Sequence, residues 1–228
     1  MKRKDNNNTL KKNRSKASSH QGRIVKVVII GEDGVGKSAL TVRFLTKRFI
    51  GEYDDTLEST YRQDAEVAGE VVAIELTDTA GENSPAKLER CLEIGEVFVV
   101  LYSITSRHSF DEASRIGTYI KERKSSDAMT LTLVGTKKDL EHFRIVQETE
   151  GSDLAQELEA TFFEISVSES NGFTDVSRIL HSSIKRFIKR DKIEKEKEKG
   201  NNSMSLLKMK DSIIRRTPSF RRKSIAVL

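Results

Sequence analysis

The chain has 228 residues, of which 36% are hydrophobic and 33% charged, as expected of a soluble globular domain with polar extensions. No apolar run approaches the roughly 20 residues that a membrane-spanning helix needs, and no apolar stretch follows the basic N-terminus as it would in a secretory signal. Cys91 is the only cysteine, which excludes an internal disulfide and indicates a cytoplasmic protein.

The net charge of +5 is unevenly distributed along the sequence. Residues 1–22 carry seven Lys and Arg against one Asp, and residues 185–228 carry fifteen against five acidic residues. The segment between these two is therefore acidic, which argues against a folded nucleic-acid-binding face. Basic tails of this kind are typical of contact with an anionic membrane surface or an acidic partner, or of nuclear import.

Apolar runs alternate with helix-like segments from residue 24 onward. The β-branched run 24–30 predicts a buried strand, and 37–47 has the apolar spacing of a helix. Further strands are predicted at 71–76, 97–102, 130–134 and 161–165, and further helices at 111–123, 150–159 and 173–188. This alternation predicts an α/β domain with a mostly parallel sheet covered on both faces. Ligands in such domains bind at the carboxyl ends of the strands.

The two ends of the chain lack this pattern. Residues 1–22 are rich in Asn, Lys and Ser without an apolar period, so a disordered basic extension is predicted. Alternating Lys and Glu at 192–199 predict a solvated helical extension, which Gly200-Asn201-Asn202 is expected to break. The predicted units are therefore 1–22, a folded domain at 23–190, and a basic tail at 191–228.

Residues 31–38 read GEDGVGKS and match the pattern G-x-x-x-x-G-K-[ST] between a predicted strand and a predicted helix. That context is the one a phosphate-binding loop requires. Glycines let backbone N–H groups turn toward phosphate oxygens, and the helix N-terminus adds a favourable dipole. In such loops the residue at Lys37 reaches the β- and γ-phosphates, and the hydroxyl at Ser38 ligates Mg²⁺.

Three further segments follow predicted strands: DTAG at 78–81, TKKD at 136–139 and FEISVS at 163–168. Together with the phosphate-binding loop, in this order, they resemble the Ras superfamily of small GTP-binding proteins over essentially the whole core. The segments RFLTKRFIGEY at 43–53 and TLESTY at 56–61 resemble the Ras-related, RERG-like subgroup rather than Rab, Rho or Arf proteins. The resemblance implies the small GTPase fold with a six-stranded sheet, GTP and GDP as ligands, and Mg²⁺.

Individual roles follow from the same resemblance. Asp139 would accept hydrogen bonds from guanine, a pattern that adenine cannot satisfy; Lys137 would lie along the base, and the Val167 N–H would meet the guanine carbonyl. The implied nucleotide-binding residues are Gly31, Asp33, Gly34, Val35, Gly36, Lys37, Ser38, Ala39, Phe49, Thr136, Lys137, Asp139, Ser166 and Val167. The implied metal-binding residues are Ser38, Thr56 and Asp78, and the implied catalytic residues are Lys37, Thr56, Gly81 and Glu82.

Four residues depart from the family pattern. Glu82 stands where the family usually has the glutamine that orients the attacking water, and Asp33 replaces a glycine beside the γ-phosphate, where a side chain obstructs an arginine finger. Thr136 replaces the commoner asparagine, and Asp55 replaces a proline that stiffens the first switch. We expect a signalling switch that binds GTP and GDP, hydrolyses GTP slowly and responds poorly to an activating protein.

Two other functions remain open at this stage. A non-cycling, GTP-bound scaffold, regulated by abundance or by phosphorylation of its tail, is favoured by Glu82 and Asp33. A P-loop nucleotide kinase would need an acceptor site and lid arginines, and the DTAG and TKKD segments give it no support.

The tail lacks a C-terminal prenylation motif, and Lys2 precludes myristoylation. Leu206, Met209 and Ile213 have helical spacing among basic residues, which is typical of a segment that lies on a membrane or in a calmodulin-like groove; a solvated disordered tail is the alternative. Ser219 and Ser224 follow basic residues and are candidate phosphorylation sites. Expected partners are effectors at 56–61 and exchange and activating proteins, with weak binding to an anionic membrane. The protein is expected to be a monomer in the cytoplasm, at the plasma membrane or in the nucleus.

Overall fold

The computed structural model of the protein describes residues 23–47, 59–79, 83–124 and 129–214, with side chains in the last range as far as residue 197 and at residue 199. The strands are β1 (Ile24–Gly31), β2 (Ser59–Val67), β3 (Glu70–Asp78), β4 (Val97–Ser103), β5 (Thr130–Thr136) and β6 (Thr161–Glu164). The helices are α1 (Lys37–Thr46), α2 (Pro85–Ile94), α3 (Arg107–Arg123), α4 (Glu148–Glu157) and α5 (Gly172–Ile214), with a 3₁₀ helix at Lys138–Phe143.

The six strands form one sheet in the order β2-β3-β1-β4-β5-β6. Only the β2–β3 pair is antiparallel. Those two strands are joined by Ala68 and Gly69, whose φ angles of 55° and 79° suit a two-residue hairpin loop. The predicted α/β fold with a mostly parallel six-stranded sheet is therefore confirmed.

Two apolar layers cover the sheet, and β1 shows how the sequence fills both. Its odd-numbered residues, such as Val27 and Ile29, pack in the layer under α1 and α5, whereas Val28 and Ile30 pack in the layer under α2, α3 and α4. This alternation follows from the two-residue period of a strand. All strands except β2 run parallel to one another, so their five carboxyl ends meet at one edge of the sheet. The phosphate-binding loop lies at this edge.

The predicted strands and helices are all present, most of them with wider bounds, whereas α1 and β6 end one residue earlier than predicted and α4 lies two residues earlier. The elements β2, α2 and the 3₁₀ helix were not predicted. The expected break at Gly200-Asn201-Asn202 is wrong, because α5 continues through it as a helix of 43 residues, about 65 Å long. Among the residues that the structure describes, no helix is both long and apolar enough to span a bilayer. Residues 1–22 and 215–228 lie outside the described ranges.

The helix α5 remains tied to the domain beyond the boundary predicted at residue 190. Arg23, just before β1, forms an ion pair of 2.7 Å with Asp191, and Lys192 pairs with Glu70 at the start of β3. The first turn of the predicted tail is therefore an extension of the domain's last helix, anchored against the β1 and β3 ends opposite the phosphate-binding loop.

Candidate functional site

The phosphate-binding loop connects β1 to α1 and depends on two glycines. A Cβ atom at Gly31 would lie 2.4 Å from the carbonyl oxygen of Leu101 on β4, so a larger residue does not fit there. Gly36 caps α1 with a φ of 101°, a conformation that L side chains rarely adopt. The loop therefore brings the N-terminus of α1 to the edge of the sheet, where backbone N–H groups attract an anion.

Lys37 begins α1 and its side chain is only 6% exposed. Its ammonium nitrogen donates to the carbonyl oxygens of Gly31 at 3.2 Å and Glu32 at 2.9 Å, and to Oδ1 of Asp33 at 2.9 Å. The three N–H groups of the ammonium thus have three acceptors, all within the loop. The side chain is therefore held beside the N-terminus of α1, with its three donors taken up by the loop.

The residues predicted to hold Mg²⁺ come together where the described parts of the chain include them. Ser38 on α1 lies close enough to the carboxylate of Asp78, at the end of β3, to affect its pKa, while Oδ1 of Asp78 is buried without a hydrogen-bond partner. Burial raises the pKa of the Asp78 carboxyl, against the opposing effects of the Ser38 hydroxyl and the Lys37 and Lys87 charges. A hydroxyl and a buried carboxylate oxygen left without a partner are hard oxygen donors that fit Mg²⁺.

A cavity of about 320 Å³ lies beside the loop, at the carboxyl ends of β5 and β6. Asp139 faces it and is oriented by Ser166, whose hydroxyl donates to Asp139 Oδ1 at 2.7 Å. Lys137 has a φ of 61°, unusual for a non-glycine residue and typical of functional sites. The residues lining the cavity are Gly34, Val35, Gly36, Ala39, Thr136, Lys137, Asp139, Leu140, Val167 and Ser168. Eight of the predicted nucleotide-binding residues thus meet at one cavity.

The hydroxyl of Thr136, at the wall of this cavity, is engaged with backbone carbonyls of the protein. Its Oγ1 lies 2.7 Å from the carbonyl oxygen of Val35 in the phosphate-binding loop and 2.9 Å from that of Tyr102 on β4. The side chain is buried, so these contacts are shielded from water. Thr136 therefore links the phosphate-binding loop to the central sheet, a function that the sequence did not predict.

A second cavity, of about 620 Å³, lies on the other side of the loop, and Asp33 belongs to it. Asn83, which follows the DTAG segment, donates to Gly31 O and to Glu112 on α3 at 3.1 Å each. Arg115, also on α3, donates to the Asn83 carbonyl at 2.9 Å. Sequence reasoning missed this network because Asn83 lies 29 to 52 residues from its partners along the chain.

Four predicted site residues lie outside the described residues: Phe49, Thr56, Gly81 and Glu82. Asp55 and the segment 56–58 of the expected effector region also lie outside them, while Ser59, Thr60 and Tyr61 begin β2. Tyr61 is 38% exposed at this edge of the sheet. The assignments to the four residues remain predictions from the sequence.

Comparison with known proteins identifies the family to which this fold and site belong. Residues 26–186 match the family model described as "Ras family". The chain belongs to the Ras family. The human Ras-related and estrogen-regulated growth inhibitor is 44% identical over 184 residues, which cover 81% of this chain and 91% of that protein. This similarity places the chain among RERG-like Ras proteins.

More distant Ras proteins also match. Ras-like protein 2 of Mucor circinelloides is 37% identical over 182 residues, covering 79% of this chain and 91% of that protein. Ras-like protein rasS of Dictyostelium discoideum is 41% identical over 145 residues, which cover 63% of this chain and 75% of that protein. As a Ras-family small GTPase, the chain is a GTP-binding switch protein.

Proposed function

We propose that this Ras-family protein binds GTP and GDP together with Mg²⁺ and hydrolyses GTP slowly, so that it changes partners with its nucleotide. The observation that carries the proposal is the convergence of Lys37, the Ser38–Asp78 pair and the Asp139–Ser166 pair at adjoining positions along the sheet edge. The first two sites suit the phosphates and the metal, and the third suits the base.

Guanine is selected over adenine at Asp139. A carboxylate accepts hydrogen bonds from the ring N–H and exocyclic amine of guanine, whereas adenine would leave it without donors. Ser166 holds one carboxylate oxygen in place, which limits the orientations that the acceptor can take. We expect Asp139→Asn to lose at least about 100-fold in GDP affinity, because removal of a matched polar partner is strongly discriminating.

Ser38 and Asp78 would supply oxygen ligands to Mg²⁺, directly or through water, and the ion would supply positive charge against the charge that develops on the phosphate oxygens. Lys37 would supply positive charge beside the same phosphates. Thr56 and the Gly81 N–H complete this arrangement in our proposal, by family resemblance.

Slow hydrolysis follows from two residues. Glu82 can accept the proton of the attacking water but cannot donate to the γ-phosphate, and Asp33 adds a negatively charged side chain where an arginine finger of an activating protein would enter. The same two residues favour the alternative of a GTP-bound scaffold that does not cycle. Partners in either case are effectors that bind the segment 56–61, by family resemblance, and exchange and activating proteins in the cycling case.

One experiment separates these functions. The purified full chain is loaded with GTP and Mg²⁺, free nucleotide is removed, and bound GTP and GDP are followed over hours. Conversion to GDP at about 10⁻⁴ s⁻¹ would support a cycling switch, whereas GTP that persists would support the scaffold. Failure to take up GTP during loading, or equal uptake of ATP, would contradict both. GDP affinity is measured in parallel for Asp139→Asn, and Asp111→Asn, at an exposed site on α3, is the control for that variant.

The basic tails lead to a proposal on location. The helix α5 extends into the predicted tail as far as residue 214, and the Lys and Arg residues of the tail 191–228 would attract an anionic membrane surface from the cytoplasmic side. We place the protein in the cytoplasm as a monomer, with weak contact to the plasma membrane through this tail or entry to the nucleus, and without a nucleic-acid partner.

A further inference from the structure

The ion pair between Asp33 and Lys37 lies inside the phosphate-binding loop itself. Asp33 Oδ1 is 2.9 Å from the Lys37 nitrogen, and the other two hydrogen-bond partners of that nitrogen are loop carbonyls. In the function proposed above, the Lys37 ammonium binds phosphate, whereas here it binds the Asp33 carboxylate of its own loop. A phosphate oxygen has to take the place of the Asp33 carboxylate before it can bind Lys37.

The two side chains differ sharply in exposure, which sets their energetic roles. Lys37 is 6% exposed, so its ammonium is costly to leave without an anion, whereas Asp33 is 51% exposed and is solvated when it moves away. Asp33 also lines the 620 Å³ cavity beside α3, which leaves room for a second rotamer. Arg115 on the wall of this cavity is already paired with Glu112 at 2.7 Å, so solvent in the cavity is what stabilises a carboxylate that leaves Lys37.

We propose that Asp33 is an internal competitor for the phosphate-binding lysine, and that it accelerates spontaneous nucleotide release. When nucleotide departs, Asp33 compensates the buried ammonium, which lowers the free energy of the empty site and of the path leading to it. While nucleotide is bound, the Asp33 charge stands close to the phosphates and weakens their attraction to the loop. Both effects shorten the time for which nucleotide stays bound.

This inference rests on the proposed nucleotide binding and gives the switch a means of reloading without an exchange factor. The effect is larger for GTP than for GDP, because the third phosphate adds negative charge on the side where Asp33 lies. A protein that hydrolyses slowly and exchanges quickly would be mostly GTP-bound in a cell rich in GTP.

The neighbouring residue provides a matched control. Glu32 also carries a carboxylate in the loop, but its Oε1 is 2.5 Å from Nδ1 of His108 at the start of α3, and it does not contact Lys37 through its side chain. Glu32→Gln removes one negative charge from the same loop, as Asp33→Asn does, and leaves the Lys37 contact intact. A difference between the two variants reports the contact and not the net charge.

The test measures release of fluorescent GDP and GTP analogues from the full chain after addition of excess unlabelled nucleotide. We expect Asp33→Asn to slow GDP release about tenfold, equivalent to about 1.4 kcal/mol in the barrier, with a greater slowing for GTP, while Glu32→Gln slows release far less. Asp33→Gly should behave as Asp33→Asn. Equal release from the wild type and both Asp33 variants would overturn the inference, as would equal slowing by Glu32→Gln. Absence of nucleotide binding in all proteins would instead refute the proposed function.

Discussion

The guanidinium of Arg144 holds both carboxylate oxygens of Glu164, with 2.8 Å from Nη1 to Oε1 and 2.8 Å from Nη2 to Oε2. The Glu164 side chain is 1% exposed and that of Arg144 is 9% exposed, so the pair is almost completely buried. Arg144 follows the 3₁₀ helix that carries Asp139, and Glu164 ends β6 two residues before Ser166. The ion pair therefore fixes the distance between the two segments that form the proposed base site.

Removing one partner of this pair should be strongly destabilising. We expect Arg144→Ala to lower the free energy of unfolding by about 3–5 kcal/mol, because it leaves the Glu164 carboxylate buried without its counterion. Urea denaturation measures the loss. The double variant Arg144→Met with Glu164→Leu should recover most of it, since no buried charge remains. Arg62→Ala, at a mostly exposed pair of 3.9 Å, is the control and should change stability by less than about 0.5 kcal/mol. A small effect of Arg144→Ala would show that water reaches Glu164.

Thr136 makes a second connection on which the site depends. Thr136→Val keeps the shape but removes the only donor of a side chain that reaches the carbonyls of Val35 and Tyr102. We expect a loss of about 1–3 kcal/mol in the free energy of unfolding and weaker nucleotide binding, because buried carbonyls lose a partner and the phosphate-binding loop loosens. Urea denaturation and GDP titration measure the two effects. Thr136→Ser keeps the hydroxyl and should restore both; a Val variant as stable and as tight as the wild type would contradict this role.

The elements that the sequence predicted are those with a local signal. Strands β1, β4 and β5 are nearly continuous apolar runs because helices cover both faces of the sheet there, and the phosphate-binding loop is a contiguous pattern. Strand β2 lacks such a signal, since it lies at the sheet edge and Val67 alone among its residues is buried. Helix α2 carries two signals that could have revealed it: Leu88, Cys91 and Leu92 have helical spacing, and Ser84 as N-cap is followed by Pro85.

Other features depend on contacts between distant residues. Nothing near Arg144 in the sequence points to Glu164, and the Asn83–Glu112 contact likewise joins separate elements. The helix α5 continues past Gly200 because a single helical Gly costs only about 1 kcal/mol, too little to end a helix by itself. Ion pairs such as Lys195–Asp191 at 2.8 Å stabilise the turns just before it.

Stability in acid should depend on Glu150. Both of its carboxylate oxygens accept hydrogen bonds from Arg107, and Oε2 also accepts the Gln147 N–H at the start of α4. The Arg107 bonds, and then the backbone bond, lower the pKa of Glu150 from 4.5 to about 2. Because the folded pKa is the lower one, this stabilisation is present above pH 4.5 and is lost as the pH falls toward about 2.

We therefore expect Glu150→Gln to lower the melting temperature at pH 7 and to reduce the loss of stability between pH 4.5 and 2. Thermal unfolding followed by circular dichroism over this pH range measures both effects. Glu157→Gln, exposed on the same helix, is the control and should follow the wild-type curve. A Glu150→Gln curve parallel to that of the wild type would show that the residue does not contribute to acid sensitivity.

Response to an activating protein should be limited by Asp33 and Glu82 together. Asp33→Gly opens the path for an arginine finger, and Glu82→Gln supplies a side chain that orients the attacking water. We expect the double variant to gain orders of magnitude in single-turnover GTP hydrolysis with an activating protein of a Ras relative, because a finger adds about 10⁵-fold in this class. The single variants, measured alongside, should gain much less. Unchanged turnover in the double variant would exclude these residues as the cause of slow hydrolysis.

The last prediction concerns the basic tail. Binding of the full chain to vesicles containing anionic lipid should be weak, at about 1 kcal/mol per Lys or Arg near the surface, and should fall as salt is added. Ser219→Glu with Ser224→Glu should weaken it further, because each new carboxylate cancels part of the positive field, as a phosphate would. Ser219→Ala with Ser224→Ala is the matched control and should bind like the wild type. Equal binding of the Glu and Ala variants would argue against an electrostatic switch, since the lipids would then be sensing something other than the net charge of the tail.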